Sequence, residues 1–189
     1  MRIATIQIEG LTPYSQSKAL QSEKEKNESH DDHSRRVWKE HLHTAAAGDV
    51  TIPAVAILQG LADAASYLGK GGGLKKKGSA TWAQNFTCGL AVAHGPKIGH
   101  GADDARIEPV YSHANGQRGS GKRVWRHFPI FDEWSAVLVI HILDDTIPED
   151  VFARVVEAFG LFIGVGRYRP QNGGYLGRFT VKKLEISET

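Results

Sequence analysis

Ser135-Ala136-Val137-Leu138-Val139-Ile140-His141-Ile142-Leu143 is the most hydrophobic run in the chain, and the fold is read outward from it. Trp134 bounds it on one side and Asp144-Asp145 on the other. Nine mostly aliphatic residues between such limits fit a central strand buried on both faces. Pro148 then opens a helix whose first turn holds Glu149 and Asp150, complementing its dipole. Val151, Phe152, Val155, Phe159, Phe162 and Ile163 give that helix a bulky buried stripe. A glycine-rich loop over residues 164–177 and a last strand over 178–186 complete a strand-helix-strand half.

A matching half precedes it. Residues 2–8 (Arg2-Ile3-Ala4-Thr5-Ile6-Gln7-Ile8) are rich in β-branched side chains and alternate as a strand, ended by Gly10 and Pro13. Residues 15–36 read as a mobile, charged excursion, helical over 32–42 where Val37, Trp38 and Leu42 share a stripe. Thr51 is placed to cap a helix with Pro53 in its first turn. Ala54, Ile57, Leu58, Leu61, Ala65 and Leu68 follow at helical spacing, and Gly69 and Gly71-Gly72-Gly73 stop the helix. Residues 106–111 and 122–130 read as strands around a turn-rich tip at 115–121, where Asn115-Gly116 is a strong turn pair. The order is that of a split βαβ, so the expected class is α+β: a ferredoxin-like, RNA-recognition-motif-like antiparallel sheet with two helices on one face and basic hairpin and loop insertions. One domain over 1–189 is expected, with a palm from 1–10, 50–70, 105–112 and 122–189 and a basic insertion over about 70–126. The open face of such a sheet is where RNA-recognition domains take single strands.

Composition narrows the function. With 41% hydrophobic and 23% charged residues, the 189-residue chain is ordinary for a globular protein and too apolar for a disordered one. No stretch approaches the roughly 20 apolar residues of a membrane span, and no apolar run follows Met1 as in a signal peptide. A single cysteine, Cys88, excludes an internal disulfide and a multi-cysteine zinc site, so a reducing cytoplasm is the expected location. The net charge of +2 conceals a basic middle: residues 70–126 carry 10 Lys/Arg against 3 Asp/Glu, between acidic flanks. Such a field points to a polyanionic partner, with a solvated loop as the plain alternative.

In that middle, Trp82, Phe86, Tyr111, Trp125 and Phe128 lie among Lys75, Lys76, Lys77, Lys97, Arg106, Arg118, Lys122, Arg123 and Arg126. Cations neutralise phosphates and ring faces stack on unpaired bases. The plain alternative puts the rings in the core, Phe128 above all. Residues 116–122 match the GxxxxGK of a phosphate loop, but Arg123 replaces the magnesium-binding hydroxyl and a strand follows in place of a helix. They read better as a basic hairpin tip. His30, His33, His41 and His43 cluster with Asp31 and Asp32, in no zincin spacing, and read as a solvated surface. His141 reads as a core histidine and Cys88 as packing. The stretch 159–179 carries six glycines and three arginines, Arg167, Arg169 and Arg178. Glycines permit close backbone approach to a ligand, and arginines suit phosphates.

A C-terminal helix, a glycine-rich loop and a strand opening Gly177-Arg178-Phe179 resemble the G-loop of the RAMP superfamily of CRISPR-associated proteins. The first strand with its Leu11-Thr12-Pro13 exit is similar to that superfamily's, and Ile52-Pro53 before Ile57-Leu58-Gln59-Gly60 resembles the first-helix start of its guide-RNA-coating backbone subunits. Gln59 stands where that family carries lysine, and the chain is short for a backbone subunit. The resemblance implies a ferredoxin-like palm, single-stranded RNA as ligand, head-to-tail self-association into a filament, and other CRISPR effector subunits as partners in a ribonucleoprotein of antiviral defence. The expected nucleic-acid-binding residues are Lys75, Lys76, Lys77, Trp82, Arg118, Lys122, Arg123 and Arg126, with Gly164, Gly166, Arg167, Arg169, Gly173, Gly174 and Arg178 bordering the palm groove. No catalytic residue, metal or cofactor is expected. The alternatives are a RAMP-type endoribonuclease using His or Asp of residues 30–43, and a phage protein that mimics a backbone subunit or coats single-stranded DNA.

Overall fold

A computed structural model of the chain describes residues 1–71, 73–74, 81–113 and 121–188. In chain order its regular elements are β1 (Arg2–Gly10), β2 (Tyr14–Ser15), α1 (His30–Val37), β3 (Asp49–Thr51), α2 (Ala54–Lys70), α3 (Ala83–Cys88), β4 (Leu90–Ala91), β5 (Lys97–Gly101), β6 (Arg106–His113), β7 (Arg123–Phe131), β8 (Ser135–Ile142), α4 (Glu149–Ala158) and β9 (Phe179–Glu188). Four strands in the order β4-β8-β1-β9, all antiparallel, form the palm. With the inserted elements set aside, this is the strand order of a ferredoxin-like split βαβ.

Strand alternation decides what the palm buries. Ala4, Ile6 and Ile8 of β1 and Leu138, Ile140 and Ile142 of β8 point to the helices. There they meet Ile57, Leu61 and Ala65 of α2 and Val151, Phe152 and Val155 of α4 in one continuous core. The helix begun at Glu149 runs on through a wider π turn, Phe159–Ile163. Gly60 of α2 lets the Phe159 ring lie against the backbone, where any β-carbon would collide with it.

Three expectations are corrected. β8 is central but buried on one face only: Val137 is 51% exposed, and Val139 stands beside it on the open side. An aliphatic run reads the same whether one or both faces are covered. The strands expected at 106–111 and 122–130 do not join the palm. They form a hairpin that pairs with β2 as a second sheet, β2-β7-β6, while the palm's own second strand is the two-residue β4. Thr51 lies in β3 and does not cap α2, whose first turn follows Pro53 without a side-chain cap.

Residues 16–44 pack against the second sheet. α1 starts two residues before the expected position, capped by Ser29, whose hydroxyl accepts the Asp32 amide at 3.1 Å. It gives way to a 3-10 turn, Trp38–His41. α1 covers the free edge of β7, where the Ser34 hydroxyl accepts the His127 amide at 2.7 Å. Gln16 is buried and works as a clip. Its amide donates to Tyr14 Oη at 2.6 Å and to the Thr51 carbonyl at 2.8 Å, and its oxygen accepts from the His43 amide at 2.6 Å. Among the described residues, no helix is long and apolar enough to cross a membrane.

Candidate nucleic-acid interface

The hairpin of β6 and β7 carries the most suitable binding groups. Tyr111 and Trp125 face each other across the strands with ring centroids 5.2 Å apart. They are 52% and 48% exposed, which leaves ring area open to solvent. Register places His113 and Arg123 as the next pair on the same face, and Lys122 is exposed beside them. The tip, with Arg118, and the basic run Lys75, Lys76 and Lys77 lie outside the described residues. The three other interleaved rings, Trp82, Phe86 and Phe128, go inward. Trp82, expected in the interface, is buried beside Phe86 in the palm core, because α3 needs an apolar anchor where it packs on α2. Phe128 is buried beneath the second sheet.

The glycine-rich loop has a different use from the one its composition suggests. It is folded onto the chain's own first crossover: Arg167 N–H donates to the Ser15 carbonyl and Gly177 N–H to the Pro13 carbonyl, both at 2.8 Å. A β-carbon at Gly166 would run into the Ser15 carbonyl, and one at Gly174 into that of Tyr168. Gly164 is hemmed in by Pro170 and the Gly177 carbonyl, whereas Gly173 has open space and a φ of +75°. The close approach that these glycines allow is therefore approach to protein.

The loop arginines are likewise engaged. Arg167 pairs with Glu108 of β6 at 2.7 Å, donates from Nε to Ser15 Oγ at 3.1 Å, and lies 4.1 Å from the Phe128 ring centre. Its side chain is 15% exposed, and burial pulls the guanidinium below its ordinary pKa against the opposing effect of Glu108. Arg169 lies 3.6 Å from Asp63 of α2, and Arg178 donates to the Leu161 carbonyl at 3.0 Å. Instead of bordering an open groove, all three tie the loop to the hairpin, the first palm helix and the π turn.

The histidine cluster is ordered, not a loose surface. His33 Nε2 lies 3.0 Å from the Ser22 carbonyl and His41 Nδ1 2.7 Å from the Lys18 carbonyl. Both carbonyls can only accept, so each contacting nitrogen carries a proton. His30, His33 and His41 converge with Ser34, Trp125 and Arg126 on a cavity of about 160 Å³. Asp31 and Asp32 have local partners: Asp31 faces Arg35 and the buried His127, and Asp32 accepts from Ser29 Oγ at 2.6 Å. Among the described residues no group of three metal-ligating side chains comes together. His141 is half-buried on the open palm face and Cys88 is exposed, so neither is the core residue expected.

No family model and no curated protein matches this chain. Among solved structures, a chain in the cryo-EM structure of the Type III-B Cmr-beta complex bound to cognate target RNA shares its fold, with a TM-score of 0.56 and 14% identity. The match covers 99% of this chain and 61% of that one, so this protein spans less than two thirds of its neighbour's length.

Proposed function

We propose that this protein is a non-enzymatic subunit that binds single-stranded nucleic acid, RNA by preference, and assembles head-to-tail along it in a CRISPR-type ribonucleoprotein. The observation that carries the reading is the half-exposed Tyr111–Trp125 pair beside Lys122 and Arg123 on the β6–β7 hairpin. Half-exposed rings beside cations suit a strand whose bases are unpaired. The shared fold with a subunit of an RNA-bound CRISPR complex supports the same reading, and heterologous contacts extend it to filaments. Fluorescence polarisation with a labelled 30-nucleotide RNA, its DNA counterpart and the RNA duplex tests the proposal. Tight, salt-sensitive binding to the single strands is expected, and equal or stronger binding to the duplex would refute it.

One observation favours a second reading. The convergence of His30, His33 and His41 near Arg126 fits an endoribonuclease that uses histidines without metal. Incubation with end-labelled RNA in EDTA separates the two, because discrete cleavage lost in His33→Ala and His41→Ala would establish the enzyme.

A further inference from the structure

Strand β9 is the outer strand of the palm. It pairs with β1 along one side, and no backbone hydrogen bond from the described residues reaches its other side. Alternate residues of an antiparallel strand send their N–H and C=O groups outward, so that side presents a row of open donors and acceptors. The other sheet edges are blunted. β2 and β4 have two residues each and β3 has three. β5 is turned by Gly99 at a φ of +80°, and Pro109 removes a donor from β6. β9 has ten residues with neither proline nor glycine. A bulge sets Lys182 out of register, and from Lys183 to Glu188 the pairing runs without interruption.

Register sorts the side chains of this edge. Lys183 and Glu185 lie opposite Gln7 and Thr5 on the open face, exposed and joined by an ion pair of 2.8 Å. Leu184 and Ile186 lie opposite Ile6 and Ala4 on the helix side, where they pack against the core but keep part of their surface open. From this edge we infer that β9 docks on β9 of a second copy of the chain, antiparallel and about a two-fold axis at Leu184. That register sets Lys183 opposite the partner's Glu185 and Glu185 opposite the partner's Lys183, while Leu184 meets the partner's Leu184. Opposite charges directly across a strand pair stabilise it and like charges destabilise it. A two-fold axis at Glu185 would instead oppose two glutamates, so the strand's own charges choose the centre. Pairing completes the open row of backbone groups, joins the two palms in one sheet and covers the aliphatic pair 184 and 186. An isologous contact of this kind closes at two copies. It is therefore a different contact from the head-to-tail one of the proposed filament, it uses no residue of the β6–β7 hairpin, and it does not rest on the nucleic-acid reading.

The test is sedimentation velocity of the intact, nuclease-treated protein over a concentration series. A reversible dimer is expected, at the weak end of specific association because the contact is one strand wide. Lys183→Glu and Glu185→Lys, each alone, set two like-charged pairs across the axis and should raise the dimer Kd at least tenfold. An equal mixture of the two variants restores both opposite-charge pairs, as does the double variant Lys183→Glu/Glu185→Lys, and both should return the Kd to that of wild type. Thermal melts of all variants should match wild type, because an exposed ion pair contributes little to folding. A wild-type protein that stays monomeric, a mass that grows past two copies, single variants that dimerise like wild type, or a mixture that does not recover each overturns the inference. A charge-selected dimer that takes up no RNA supports this contact and refutes the proposed function.

Discussion

Replacing Arg167 by alanine is expected to unfold the loop-hairpin junction before it affects any ligand. The side chain makes three attachments at once: the pair with Glu108, the Nε donation to Ser15 Oγ and the stack on Phe128. A hydrogen bond to a charged group contributes about 1.5–3 kcal/mol, and a partly desolvated cation over a ring about 0.5–2 kcal/mol. The partners retain some exposure, which lowers the ionic part. Truncation also strands the Glu108 carboxylate, itself 22% exposed, without its cation. About 3 kcal/mol is a fair total, near the lower end for a broken buried pair. At roughly 2–4 °C per kcal/mol for a chain of this size, Tm falls by about 6–12 °C. Arg167→Lys keeps the charge and loses the planar stack and the Nε donor, so about half the loss remains. Arg167→Met with Glu108→Gln recovers most of the stability, because no bare charge is left buried. Calorimetric melts at pH 7 decide the matter. A Tm within 2 °C of wild type for Arg167→Ala, joined to lost RNA binding, would refute a structural role and return this arginine to the ligand.

Trp125→Ala should weaken binding to single-stranded RNA by about 1–3 kcal/mol, the value of one base-aromatic stack, with little change in Tm because the ring is half exposed. Polarisation titrations measure the first part and melts the second. In Lys122→Gln/Arg123→Gln the slope of log K against log salt should shrink by about 1.4, since each phosphate contact on a single strand contributes about 0.7. Gly173→Ala should cost only about 1–2 kcal/mol for its left-handed backbone, whereas Gly174→Ala, aimed at the Tyr168 carbonyl, should fail to fold or melt far lower. The Glu40 carboxyl is held at a pKa of about 2 by the Ser22 hydroxyl, the Ser22 amide and the Gln21 amide. Its folded value is depressed, so the contribution is full above the ordinary carboxylate range and lost as pH falls from there toward 2. Hydrogen exchange at residues 18–42 should therefore quicken over that interval in wild type and be fast throughout in Glu40→Gln.

The palm was legible where pattern and burial coincide. Residues 2–8, 135–142 and 179–186 carry period-two or continuous apolar signals long enough to survive without tertiary information, and α2 and α4 carry stripes that only a sheet can cover. Leu90–Ala91 carries no such signal, because two residues cannot show a period. The longer 106–113 and 123–131 strands offered themselves in its place. What sends them to a second sheet is the short strand Tyr14–Ser15, itself unreadable, whose pairing with Phe131 and Ile130 only the folded chain reveals. Residues 16–44 were misjudged for a related reason. Their order comes from single polar anchors, Gln16, Ser34 and His41, and a polar residue that is buried looks in sequence like one that is solvated.

The binding residues divide along the same physical line. Cations on a hairpin flank, Lys122 and Arg123, are exposed, so charge in sequence carries through to charge at the surface. Cations in a loop that folds back on the core meet whatever the core presents, and here it presents Glu108, Asp63 and the Leu161 carbonyl to Arg167, Arg169 and Arg178. A glycine-arginine composition therefore cannot distinguish a loop that embraces a ligand from one that clasps its own chain. Lys18 belongs to the acidic first third and bears no motif, and the histidine cluster by itself does not say what His41 packs on. They meet only because the 3-10 turn lays His41 on Phe128 and brings the Lys18 carbonyl to its ring. Net charge counted along the chain locates the hairpin, and only the fold decides which of its cations stay open to solvent.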